Sequence, residues 1–226
     1  MDLQLSGTNV LVTGAGQGLG RYIGLGFARE GAHVAFHYHS SADGAEKAAA
    51  EAAELGPIGV LVNNSAVTKK QRFLDSTPQD WAPQVDVTVT GTLQLTHAVA
   101  QRMAERRSGV IVNLMGDSGR VGESGLLVTA TARATTVGLT KSLARELARF
   151  GIRSNAVSLA LVRTDNFTEH AGSPEAEQMK KIIAQYPLRR LGHPDDVTPM
   201  VLLLASPLSS WTTGQVVSVN GGYAMP

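Results

Sequence analysis

Short apolar runs rich in valine alternate along this chain with longer stretches of helical periodicity. Asn9 to Val12 reads as a buried strand, followed by a glycine loop and a helix that runs to Glu30, where Gly31 stops it. His33 to Tyr38 reads as a second strand and Asp43 to Leu55 as an Ala/Glu helix ended by Gly56-Pro57. Strands follow at Ile58 to Val62, Val110 to Leu114, Ser154 to Ser158 and Val216 to Val219. Helical patterns cover Val87 to Arg107, Thr129 to Phe150, Pro174 to Gln185 and Pro194 to Leu204. Strands that are apolar throughout, rather than alternating, predict an α/β fold: a doubly wound parallel sheet covered on both faces. No internal repeat, low-complexity tract or linker divides the chain, so residues 1–226 read as a single domain.

Composition narrows the function. The 226 residues carry 20 Lys and Arg against 19 Asp and Glu, a net charge of +1, which gives no basic field for nucleic acid. With no cysteine there is no disulfide framework and no thiolate nucleophile or ligand. His, Asp and Glu show no metal-ligand spacing. No apolar run approaches the ~20 residues that span a bilayer, and Met-Asp-Leu-Gln-Leu lacks the basic start of a secretory signal. A cytoplasmic protein with a small-molecule ligand, and without nucleic-acid or membrane partners, is expected.

The best-defined motif is Thr13-Gly14-Ala15-Gly16-Gln17-Gly18-Leu19-Gly20, between the first strand and the first helix. Glycines there allow a tight turn and let backbone N–H groups and a helix N-terminus approach a pyrophosphate. The spacing Thr-Gly-x-x-x-Gly-x-Gly resembles the short-chain dehydrogenase/reductase family. Other segments agree in order: Val62-Asn63-Asn64-Ser65-Ala66, Val110 to Leu114, Gly138-Leu139-Thr140-Lys141-Ser142-Leu143-Ala144, Gly151 to Val157, Arg163-Thr164-Asp165, and Gly214-Gln215 through Asn220-Gly221-Gly222. The resemblance covers essentially the whole chain. It implies a Rossmann-like fold, a homodimer or homotetramer, and a nicotinamide dinucleotide bound at Gly14, Gly18, Leu19, Gly20, Asn64 and Thr164. No Asp or Glu ends the second strand; His39 and Ser40 follow it instead and suit a 2′-phosphate, which favours NADP(H) over NAD(H).

Members of this family transfer hydride with a Tyr and a Lys four residues later, assisted by a Ser and an Asn. One helical turn puts Tyr and Lys on one face, where the ammonium lowers the phenol pKa. Here the Tyr position falls at Thr129, the Lys at Arg133, the Ser at Gly116 and the Asn at Thr88. None of Tyr22, Tyr38, Tyr186 and Tyr223 has a Lys four residues on. The family's Pro-Gly beside the nicotinamide is Leu159-Ala160. The connection from Leu55 to Ile58 is also short by a strand–helix unit of about 30 residues, through a real deletion or through a segment that the sequence does not include.

These departures lead to two expectations. The first is a degenerate member that binds a dinucleotide without ordinary carbonyl reduction. The second is an enzyme of altered chemistry, an unusual reductase or a non-redox lyase, isomerase or cyclase, using Asp117, Ser118 and Arg133 in the same pocket. Asp117 would serve there as base or as an orienting group for Arg133, Ser118 as a hydrogen-bond donor, and Arg133 as a bidentate clamp for a carboxylate or phosphate or as a holder of the cofactor ribose in place of Lys; a structural pair with an acidic neighbour suits Arg133 equally.

Overall fold

The computed structural model describes residues 1–38, 56–164 and 174–226. Its strands are β1 (Asn9–Val12), β2 (His33–Phe36), β3 (Val60–Asn63), β4 (Gly109–Gly116), β5 (Ile152–Leu159) and β6 (Val216–Val219). They form one parallel sheet in the order β2-β1-β3-β4-β5-β6. The helices are α1 (Gly18–Arg29), α2 (Pro78–Val85), α3 (Thr92–Arg106), α4 (Ser118–Val121), α5 (Leu127–Leu147), α6 (Pro174–Ile183) and α7 (Pro194–Ala205). This is the single-domain, doubly wound α/β architecture that the apolar runs predict.

The core explains why those runs do not alternate. Successive strand residues face opposite sides. Val10, Val12, Val60 and Val62 pack beneath α1 and α7 with Ile23, Phe27 and Val201. Leu11, Leu61 and Ile111 pack on the other face with Leu95, Val99 and Met103 of α3. With both faces covered, a strand needs apolar side chains at every position.

The short connection after Gly56-Pro57 has its expected consequence: among the described residues, β2 ends the sheet, and its residues are partly or fully exposed. The helix expected at Asp43 to Leu55 lies outside the described residues, as do His39 and Ser40. Strand β2 stops at Phe36 rather than Tyr38, although the ladder runs on through His37 N–H to Val12 O (3.0 Å) and Ala15 N–H to His37 O (2.8 Å). The helix expected from Val87 is preceded by α2, and a π-helical segment at Asp86–Gly91 joins α2 to α3. Thr77 and Asp80 form a capping box with Pro78 at the first turn, so α2 has a start signal in the sequence that periodicity does not reveal.

Candidate functional site

The loop after β1 is built as a rigid cradle. Thr13 Oγ1 accepts from the N–H groups of Asn64 (2.9 Å) and Ser65 (3.0 Å), and the Asn64 side chain donates to Thr13 O (2.9 Å) and Gly14 O (3.2 Å). The ends of β1 and β3 are thereby locked together. Asn64 leaves no room for a side chain at Gly20: a Cβ there would stand 2.5 Å from its Nδ2 and from Gly14 O. Gly18 differs. It has φ of +54°, and the nearest atom to a Cβ would be Thr164 Oγ1 at 4.0 Å, so the space between loop and β5 exit is open. Helix α1 begins there with no side-chain cap bond and no acidic residue in its first turn. Free N–H groups at a positive helix end, beside an open space, suit the pyrophosphate of a dinucleotide.

Gly14 and Gly20 meet Asn64 in this loop, Thr164 faces Gly18 across the open space, and Leu19 packs on the core. Thr13 and Ser65 act with them. Thr13 was legible in the Thr-Gly motif; Ser65 had no signal of its own.

At the far ends of β4 and β5 lie Thr88, Gly116, Thr129 and Arg133. Thr129 is buried; its hydroxyl donates to Gln84 Oε1 (2.5 Å) and accepts from Lys69 N–H (3.4 Å). Thr88 Oγ1 accepts from Val67 N–H (3.3 Å). Two threonines therefore fasten the loop after β3 to α2, the π segment and α5. Gln84 is buried in this arrangement, and nothing in the sequence marks it. Deeper in, Asn63 Nδ2 donates to Thr96 Oγ1 and Asn113 Oδ1 (both 2.9 Å), and Asn113 Nδ2 donates to Thr140 Oγ1 (3.0 Å), tying β3 and β4 to α3 and α5.

Gly116 lies beside Arg133 and Ser118. A Cβ at Gly116 would lie 3.6 Å from Arg133 Cδ and Nε and 3.6 Å from Ser118 Oγ. Arg133 and Ser118 therefore converge over the end of β4, both half-buried. Burial pushes the Arg133 guanidinium below its usual pKa. It makes no ion pair or hydrogen bond with the described residues.

Asp117 stands apart from this pair. It is 1% exposed, and its oxygens accept from Ser158 Oγ (2.5 Å) and Asn220 Nδ2 (2.6 Å). Its carboxylate joins β4 to β5 and to the turn after β6; it does not orient Arg133, and both oxygens are engaged inside the fold. Beyond Leu159-Ala160, Leu161 N–H donates to Tyr186 Oη (3.0 Å), and Tyr186 stacks on Tyr223 at 5.1 Å. Burial first, then nearby Glu123 and Asp117, raises the Tyr223 pKa; burial also raises that of Tyr186.

Residues 45–224 match the family model described as enoyl-(acyl carrier protein) reductase, and residues 8–55 match the short chain dehydrogenase model. The chain belongs to the short-chain dehydrogenase/reductase family. An acetoacetyl-CoA reductase of Shinella zoogloeoides is 34% identical over 235 residues, covering 94% of this chain and 96% of its own length. A 3-oxoacyl-(acyl-carrier-protein) reductase FabG of Staphylococcus epidermidis is 33% identical over 245 residues, covering 96% of this chain and 99% of its own. That alignment is longer than this 226-residue chain, as a missing strand–helix unit requires. A crystal structure described as an NAD(P)-dependent gluconate 5-dehydrogenase of Beutenbergia cavernae, with bound NADP, superposes with a TM-score of 0.90 at 29% identity and covers 99% of both chains.

These relatives correct the functional expectation. Four substituted positions led to a dinucleotide-binding protein without carbonyl reduction, or to a non-redox or otherwise altered enzyme. Family members that match nearly the whole chain are named as reductases, so the comparison points to ordinary reductase chemistry.

Proposed function

We propose that this protein is an NADP(H)-linked oxidoreductase that exchanges hydride with the carbonyl carbon of a small oxo substrate. The observation that carries the reading is the locked cradle: Thr13, Asn64 and Ser65 hold the loop so that the space at Gly18 stays open at the start of α1. NADPH would supply the hydride, and the carbonyl oxygen takes a balancing proton as the alcohol forms. NADP(H) is favoured over NAD(H) because no acidic residue ends β2, and because the Beutenbergia cavernae neighbour carries NADP.

Within the family this is a divergent member, with Thr88, Gly116, Thr129 and Arg133 at the usual Asn, Ser, Tyr and Lys positions. The protein's own residues divide the work at the reacting end. Thr88 and Thr129 fix the loop wall, Asp117 fixes the ends of β4 and β5, and Ser118 and Arg133 face the same space beside Gly116. A homodimer or homotetramer is proposed as well, supported by partly exposed Val85, Leu93 and Leu127 along α2, α3 and α5; light scattering on the purified protein reports it.

The test is NADPH binding by fluorescence together with NADPH oxidation in the presence of acetoacetyl-CoA and simple oxo compounds. The wild type is expected to bind and to oxidise NADPH. Gly18→Asp should abolish binding by setting a carboxylate against phosphate. Absence of NADPH and NADH binding to the wild type across the micromolar range overturns the proposal.

A further inference from the structure

Arg133 poses a physical problem that the reductase reading leaves open. Its guanidinium lies half-buried at the end of β4, and no described residue offers it a carboxylate or a hydrogen bond. A desolvated cation without a partner is unfavourable. Its neighbours leave it room for a ligand: beside it stands Gly116, where a Cβ would lie 3.6 Å from Arg133 Cδ and Nε, and at Gly119 the chain passes so close to α5 that a Cβ would come within 2.9 Å of Arg133 Cβ. Ser118 Oγ, 3.6 Å from the same Gly116 position, brings a second donor to that space.

We propose that Arg133, with Ser118, is the anchor for a carboxylate on the substrate, so that the natural substrate is an oxo acid with a free carboxylate rather than a neutral ketone. This rests on the reductase reading. A guanidinium presents a planar fork of N–H donors that matches a carboxylate with two parallel bonds. A carboxylate also neutralises the charge, which the neutral hydroxyls of a cofactor ribose do not. The cofactor's phosphates are accounted for elsewhere, at Gly18 and the start of α1, whereas Arg133 stands at the end of β4 on α5. Asp117 does not satisfy Arg133, because its two oxygens are held by Ser158 and Asn220.

Two measurements on the full-length protein test the proposal. The first compares acetoacetate with methyl acetoacetate, in which one O-methyl group removes the charge, as substrates for NADPH oxidation. Acetoacetate should have the higher kcat/KM by roughly tenfold or more, through KM. The second is calorimetric binding of malonate, a carboxylate that cannot be reduced, to the NADP-loaded protein. Arg133→Met should weaken malonate binding by roughly tenfold or more and Arg133→Lys by less, with NADPH affinity nearly unchanged. Thermal unfolding of both variants reports that they are folded, and the two-substrate comparison needs no variant.

Equal use of acetoacetate and its methyl ester, or no malonate binding by the wild type, overturns the inference while the reductase reading stands. Loss of NADPH affinity in Arg133→Met, with malonate binding retained, assigns Arg133 to the cofactor and also overturns it. Arg133-dependent malonate binding in a protein that oxidises NADPH with neither substrate supports the anchor and sinks the reductase reading instead.

Discussion

Asn64 holds two backbone carbonyls of the glycine loop with a single side-chain amide, and its own N–H is held by Thr13. Asn64→Ala leaves both carbonyls short of a donor in a half-buried place, a loss of about 1–3 kcal/mol. The loop is then free to drift from the geometry that a pyrophosphate needs. NADPH affinity should fall together with the melting temperature, whereas Thr164→Ala, whose hydroxyl only borders the open space, should leave the melting temperature nearly unchanged. Fluorescence titration and thermal denaturation of the two variants check this. Tyr186 illustrates a polar contact of a different kind: its hydroxyl accepts from Leu161 N–H just after β5, and its ring stacks on Tyr223. Tyr186→Phe keeps the stack and leaves that N–H without its acceptor, so a destabilisation of about 1 kcal/mol is expected in a denaturant melt.

Among the elements, α7 shows how a helix start is stabilised by charge. His193 is its N-cap, Pro194 opens the first turn, and the Asp196 carboxylate accepts from His193 N–H (2.7 Å). Arg190 grips the same carboxylate from the other side with two bonds of 2.5 and 2.7 Å. Arg190 first, then the His193 N–H, pull the Asp196 pKa from 3.8 down to about 2. A depressed carboxyl pKa means stability that is present above the unfolded value and lost as pH falls toward 2. Both partners are partly exposed, so solvent screens the pair and its contribution is small. Asp196→Asn should therefore melt at a lower temperature than the wild type at pH 7, and the gap should close as the pH falls from 4 to 2. A constant gap across that range means that the charge contributes nothing.

At the scale of the molecule, β2 stands at the sheet edge among the described residues, paired on one side with β1. Strands β3 and β4 are paired on both sides and almost entirely buried. Opening β2 exposes little apolar surface, so it belongs to the least stable part of the sheet. Amide hydrogen exchange should be faster in His33–Phe36 than in Val60–Asn63 by at least an order of magnitude. Equal protection would mean that another part of the chain, or a second copy, covers this edge.

Periodicity and glycine placement were enough to determine the layers and the loop–helix cradle. Each depends on local geometry: apolar runs mark strands buried on both faces, and a tight loop before a helix has few alternatives to glycine. The spacing also places Thr129 and Arg133 one helical turn apart. What the polar residues near the strand ends touch was decided by contacts between segments far apart in the chain. Gln84 meets Thr129, Thr13 meets Asn64, and Asp117 meets Ser158 and Asn220 across separations of 41 to 103 residues. Asp117 looked like an available base because it follows a strand in a polar turn; folding closes β5 and the C-terminal turn over it and uses both oxygens. Arg133 looked equally suited to a structural ion pair or to a ligand. In the packed structure no described carboxylate comes to meet it, because the partners of a charge are set by the whole assembly of neighbours around it.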